Sequence, residues 1–237
     1  MLMRCVRDFI AKSSLILSAD LRVFRMILQN FIVFEGIDGA GTSTQIERLK
    51  ARPDADKFFF TTEPTDGPTG KFLRTMLKGD VQLDPRTAAY LFAADRAEHL
   101  WGTSAPNGGI VSHCERGKLV VSDRYFFSSL TYQSVTCGDA LPRALNTPFP
   151  LPELLFFFEV APEISLQRVL GRGETEIYEK LDFQKATAER YRRVIAEYDG
   201  TPKGEGMRVV RIDATKSVDA VAKIISHELE NLPILKA

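Results

Sequence analysis

Five short apolar runs punctuate the chain, separated by longer stretches in which apolar residues recur at helical spacing. The runs are Phe31-Ile32-Val33-Phe34, Lys57-Phe58-Phe59-Phe60-Thr61, Leu119-Val120-Val121, Leu154-Leu155-Phe156-Phe157-Phe158 and Arg208-Val209-Val210-Arg211-Ile212. The fourth is continuous rather than alternating, as expected of a strand buried on both faces. Helices are predicted from Ser43 to Arg52, where Pro53 ends the pattern, and from Asp84-Pro85 to about Trp101, where an acidic cap precedes a proline start. Thr69 is expected to cap a helix with Phe72, Leu73, Met76 and Leu77 on one side. Further helices are predicted from Asn107-Gly108-Gly109 to near Gly117, from Phe127 to Thr136, from Pro162 to Gly171, from Lys180 to Tyr198 and from Ser217 to Leu229. The stretch Gly138–Pro152 reads as a polar, proline-bearing loop and 199–206 as a glycine-rich turn. Strands alternating with helices predict an α/β domain with a mostly parallel sheet covered on both faces.

Composition narrows this picture. At 237 residues and 44% hydrophobic, a single domain with a sizeable core is expected. Lys plus Arg and Asp plus Glu both number 31, and no long basic run occurs, which argues against a nucleic-acid or membrane-surface partner. Cys5, Cys114 and Cys137 are far apart, a pattern of reduced thiols in a cytoplasm rather than of a disulfide framework or zinc site. His99, His113 and His227 lack metal-ligand spacing. Residues 1–25 mix charged and apolar positions, and the uncharged run Ser13–Ala19 is too short to span a membrane. They are expected to be an extension outside the fold, with the domain occupying 26–237.

Candidate chemistry begins where the first apolar run ends. Gly36-Ile37-Asp38-Gly39-Ala40-Gly41-Thr42-Ser43-Thr44 places a glycine loop between a strand and a helix N-terminus, an arrangement that cradles a phosphate. The spacing of Gly36, Gly41 and Ser43 fits a Walker A loop, except that Thr42 stands where the pattern has lysine. Ser43 is placed to ligate Mg²⁺. In a parallel sheet, ligands sit beyond the carboxyl ends of the strands. Those ends collect Asp38, Glu63, Asp123-Arg124-Tyr125 and the Gly171–Lys180 loop. Asp123 either holds Mg²⁺ or caps the turn after its strand, and Arg124 is either a phosphate fork or one half of an ion pair. Phe92 and Arg96, four apart, suit a base and its phosphate, or a core ring and a salt bridge. Tyr132 and Gln133 follow Ser128 so as to project over the same cleft.

The set resembles the thymidylate kinase family of nucleoside monophosphate kinases. The matching pieces are Phe34-Glu35-Gly36-Ile37-Asp38-Gly39-Ala40-Gly41, Thr61-Thr62-Glu63-Pro64, Leu91-Phe92-Ala93-Ala94-Asp95-Arg96, Asp123-Arg124-Tyr125 and the 171–183 loop ending in Leu181-Asp182-Phe183. The resemblance implies a three-layer P-loop fold with a five-stranded parallel sheet of order 2-3-1-4-5, helices on both faces and a lid at about 171–180. It implies Mg²⁺-dependent phosphoryl transfer from ATP to dTMP, small-molecule nucleotides as partners, and a homodimer. Gly36, Gly39, Ala40, Gly41, Thr42, Ser43 and Thr44 would hold ATP, with Ser43 and Asp123 on the metal. Arg74, Arg96 and Arg124 would hold the dTMP phosphate, with Glu63 among them and Phe92 stacked on thymine. Gln133 would face the base and Tyr132 the 2′ position, while Asp38 would lie near the 3′-hydroxyl and acceptor phosphate. Asp38, Asp123 and Arg172 would be the catalytic set. Arg172 would supply the lid cation, because Gly39 stands where other members carry arginine. Thr42 replaces the loop lysine and Thr62 an arginine usual before Glu-Pro. Two other readings stay open: a kinase with another nucleoside or nucleotide acceptor, and a nucleotide-binding protein with weak or no turnover. No Asn-Lys-x-Asp motif is present, which argues against a GTPase switch.

Overall fold

The strand that leads into the glycine loop lies at the centre of the sheet. In the computed structural model, which describes residues 27–102, 108–171 and 181–236, β1 (Ile27–Gly36) pairs in parallel with β3 (Leu119–Asp123) and β4 (Leu151–Glu159). β2 (Phe58–Thr62) pairs with β3, and β5 (Arg208–Asp213) with β4, giving the all-parallel order β2-β3-β1-β4-β5. The central runs are buried because both faces are covered. Phe31 to Phe34 are each 0% exposed, and burying one such side chain contributes about 1.5–3 kcal/mol.

The helices are α1 (Thr42–Lys50), α2 (Pro68–Leu77), α3 (Pro85–Trp101), α4 (Ile110–Glu115) and α5 (Phe126–Cys137). They continue with α6 (Ala140–Asn146), α7 (Pro162–Leu170), α8 (Leu181–Ala196), α9 (Val218–Glu230) and α10 (Pro233–Lys236). α5 packs against α3, α6 and α8, while α9 packs against α1. Register brings the chemistry-bearing ends together. Phe34 lies opposite Asp123, Thr62 also lies opposite Asp123, and Gly36 lies opposite Phe158.

Several expectations need correction. The segment from Gly138 to Pro152 is not all loop: it contains α6 and the start of β4. α2 begins at Pro68 with Gly67 as its cap, so Thr69 lies inside the helix, and Phe72 is 42% exposed while Leu73, Met76 and Leu77 are buried. β1 starts at Ile27, four residues before its apolar run. Its register against β4 shifts between Leu28 and Ile32, where Asn30 adopts φ 63° and its N–H donates to Glu153 at 2.7 Å. Asparagine tolerates that left-handed conformation better than the apolar residues around it. The expected extension at 1–25, most of the expected lid and Arg172 lie outside the described residues. Among the described residues no helix is long and apolar enough to cross a membrane.

Candidate active site

The glycine loop is held from outside by α7. Ser165 Oγ donates to the Asp38 carbonyl at 2.5 Å, and Arg168 donates to the carbonyls of Gly39 at 3.3 Å and Ala214 at 3.0 Å. This close approach is why glycine is needed at 39. Its φ is +81°, and a Cβ there would sit 2.5 Å from the Ser165 carbonyl. At Gly36 a Cβ would meet the Ala40 Cβ and the Phe158 carbonyl, each at 2.9 Å. α1 then starts at Thr42, which brings its positive dipole end to the loop.

Ser43 and Asp123 meet beside the loop. Ser43 Oγ donates to Asp123 Oδ2 at 2.8 Å, and Asp123 Oδ1 is buried with no hydrogen-bond partner among the described residues. A buried carboxylate oxygen left without a donor fits a cation. No group of three or more His, Cys, Asp or Glu side chains converges as a metal site among the described residues. A hydroxyl, one carboxylate and substrate phosphates make a set that suits Mg²⁺, which seldom relies on an all-protein cage.

Across the cleft, Asp38 anchors three side chains. Its carboxylate accepts from Arg124, from the Tyr132 hydroxyl at 2.9 Å and from Gln184 Nε2 at 3.0 Å. The Tyr132 oxygen also accepts the Asp38 N–H at 3.2 Å. Burial, and next the Asp38 carboxylate, push the Tyr132 phenol well above the ordinary tyrosine range, so it remains a donor. Arg124 has φ 75°, a left-handed backbone for a non-glycine residue. That turn carries its Nη1 to the Gly36 carbonyl at 3.1 Å, Ser128 Oγ at 3.2 Å and Tyr191 Oη at 3.4 Å.

A second buried cluster lies at the end of β2. Arg96 is 1% exposed and reaches Glu63 Oε2 from Nε at 2.9 Å and from Nη2 at 2.7 Å. It also donates to Ser129 Oγ at 3.1 Å and to Asn146, between the rings of Tyr125 and Phe149, each 5.5 Å from its Cζ. His99 completes the cluster, with Nδ1 3.1 Å from Glu63 Oε1 and Nε2 2.6 Å from the Thr61 hydroxyl. Arg96 is therefore salt-bridged, as one of its two expectations has it, and it also lines the cleft. Asp95 shapes the loop after Glu63 by accepting from the Thr65 N–H at 2.8 Å and hydroxyl at 2.7 Å. Arg74 donates to the Pro64 carbonyl, and its buried Nε has no partner among the described residues.

Asp38, Glu63, Arg74, Phe92, Arg96, Asp123, Arg124, Tyr132 and Gln133 all line one cleft of about 640 Å³, with Gly39, Gly41, Thr42 and Ser43. Ala40 and Thr44 face instead a hollow of about 290 Å³ on the other side of the loop, beside Gln45, Arg168 and Lys216. Gly36 lines neither cavity. Sequence reasoning did not single out Glu35, His99, Asn146, Ser165, Gln184 or Tyr191. Only Glu35 carried a visible signal, as a lone charge inside an apolar strand; the others are visible only through partners distant in the chain. Burial pushes the Glu35 carboxyl up to about 7, against the Arg124 charge and hydrogen bonds from Ser128, Tyr191 and Tyr125.

Comparison with known proteins places this geometry. The family described as "Thymidylate kinase" matches residues 34–225. A Treponema pallidum (strain Nichols) protein named "Putative thymidylate kinase" is 40% identical over 212 residues, covering 89% of this chain and 99% of its own. A Methanocaldococcus jannaschii protein named "Probable thymidylate kinase" is 36% identical over 210 residues, 88% of this chain and 100% of its own. One from Methanosarcina barkeri (strain Fusaro), of the same name, is 35% identical over 208 residues, 84% of this chain and 94% of its own. With the matched segment running from the end of the central strand into α9, and with the sheet in the order β2-β3-β1-β4-β5 that the resemblance implies, the chain belongs to the thymidylate kinase family.

Proposed function

We propose that the protein transfers the terminal phosphoryl group of ATP to dTMP, giving dTDP and ADP, with Mg²⁺. The observation that carries this reading is a single cleft in which the glycine loop faces Arg74, Arg96 and Arg124 together with Phe92 and Tyr132. Phosphoryl transfer spreads negative charge over equatorial oxygens, so the protein's work is to align two nucleotides and neutralise that charge. The loop and the start of α1 hold the ATP phosphates. Ser43 and Asp123 would hold Mg²⁺, which when bound neutralises phosphate charge. Arg74, Arg96 and Arg124 hold the dTMP phosphate, and the Arg74 Nε, without a partner among the described residues, is a donor in reserve for it. Phe92 stacks on thymine and Gln133 faces the base. Asp38, with Tyr132 locked onto it, lies by the deoxyribose 3′-hydroxyl and the acceptor phosphate. An acceptor-phosphate oxygen forms the new bond to the terminal phosphorus as the bond to the ADP oxygen breaks, and Arg172 supplies a cation from the lid. A homodimer working in the cytoplasm belongs to the same reading, supported by family membership and by the free thiols of Cys114 and Cys137.

The test is a coupled ADP-release assay on the purified protein, with and without dTMP, and with UMP, AMP and thymidine as competing acceptors. Release that depends on dTMP is expected. ATP binding without ADP formation at saturating dTMP would instead select a nucleotide-binding protein, and release with UMP or AMP but not dTMP would change the acceptor.

A further inference from the structure

Glu35 is the charged residue that the transfer chemistry leaves unused. It sits at the end of β1, 0% exposed, and its carboxylate accepts four hydrogen bonds. Oε1 takes the backbone N–H groups of Tyr125 at 2.8 Å and Ser128 at 3.1 Å. Oε2 takes the hydroxyls of Ser128 and Tyr191, both at 2.7 Å. Each hydroxyl has one hydrogen, and the ionised carboxylate claims both. The two oxygens, 2.9 Å apart, are then left with only lone pairs to offer. Arg124 Nη1 lies within reach of both, and also donates to the Gly36 carbonyl. On its other side the guanidinium donates to Asp38 through Nη2. The guanidinium also lies within hydrogen-bonding reach of the Tyr132 phenol and lines the cleft, where its outer edge can meet phosphate oxygens.

We propose that Glu35 and Tyr191 are positioning residues for Arg124: by orienting the hydroxyls of Tyr191 and Ser128, they hold Nη1 against the glycine loop and turn the remaining donors toward the acceptor phosphate. The inference rests on the reading of Arg124 as a ligand of the dTMP phosphate. The geometry makes two substitutions informative. Glu35→Gln keeps the shape, and its amide oxygen can stay on the two backbone N–H groups. Its NH₂ then donates to both hydroxyls, and their hydrogens swing toward Nη1, donor against donor. Tyr191→Phe keeps the ring, which packs on Phe157 and Tyr132, and removes one acceptor from Arg124.

The test is calorimetric binding of dTMP and of thymidine at pH 8, without ATP, to the wild type and both variants. Melting curves confirm that each variant folds. dTMP should bind roughly tenfold more weakly than wild type to Glu35→Gln and about 3- to 10-fold more weakly than wild type to Tyr191→Phe. Thymidine, which has no phosphate, should bind all three proteins equally. Variants that bind dTMP within twofold of wild type would overturn the proposal. So would equal losses for dTMP and thymidine, the sign of a merely structural role. If Glu35→Gln does not fold, Tyr191→Phe decides alone. A wild type that binds dTMP without releasing ADP removes the proposed activity but leaves this comparison valid, whereas a wild type that binds no dTMP removes both.

Discussion

Replacing Arg96 with methionine should destabilise the protein far more than loss of a phosphate contact alone would. The guanidinium is 1% exposed and supplies the two closest donors to a Glu63 carboxylate that is itself nearly buried. Methionine roughly fills the stem volume but cannot donate, so among the described residues Glu63 would retain only His99 as a side-chain partner. Removing one partner of a buried ion pair costs about 3–5 kcal/mol, because the charge left behind is neither solvated nor paired. The oxygens of Ser129 and Asn146 lose a donor as well. Against a total stability of about 5–15 kcal/mol for a domain, that loss is a fifth or more. Urea unfolding at pH 7.5 would read it as a lower midpoint with an unchanged slope. Adding Glu63→Gln removes the stranded charge, so the double variant should recover at least about half of the loss, a coupling that a double-mutant cycle isolates. A single-variant loss below about 1 kcal/mol, or a double variant no more stable than Arg96→Met, would refute the buried-pair argument.

Two further outcomes are expected. Thr42→Lys should raise the rate of ADP release less than about fivefold if another cation already serves the loop, whereas a gain on the order of 10²-fold would show that the site lacks one. Stability should fall as pH rises from about 4.5 to about 7 and then level off. Glu35 titrates near 7 in the fold instead of its ordinary 4.5, so over that window the unfolded chain has already lost a proton that the folded chain still holds. The shift corresponds to about 3 kcal/mol. Glu197, held down to about 2 by its hydrogen bond from Arg143, works in the opposite sense and loses its contribution as pH falls below about 4.5. Thermal melts from pH 4.5 to 8 should show the decline in wild type and not in Glu35→Gln, and an identical slope in both would contradict it.

The sheet was legible because its central strands β1, β3 and β4 carry apolar runs buried on both faces, which need no long-range information to announce themselves. α3 was legible at both ends, since Asp84 before Pro85 is a local signal that the fold uses as it stands, with the Asp84 side chain accepting from the Arg86 N–H. α6 was not legible. It is seven residues long with Pro142 inside it, and it leans on α5 and on the bidentate pair from Arg143 to Glu197, 54 positions away. At α2 the local signal was misread, because Pro68 marked the start more surely than Thr69 did. In the cleft, residues at strand ends could be gathered from sequence because topology places all such ends together. The residues that hold them could not. Tyr191 looks like an ordinary helix residue until the fold lays it against Glu35, 156 positions earlier.

The backbone of Arg124 sets two demands against each other. A left-handed conformation costs an ordinary residue about 1–2 kcal/mol, and glycine is excused that cost. Glycine, however, brings no cation to the cleft. Relieving the backbone with glycine would leave Asp38 and the buried Glu35 without the guanidinium between them. Populations of this chain screened only for heat resistance should therefore hold on to arginine at position 124 as firmly as those held to catalysis.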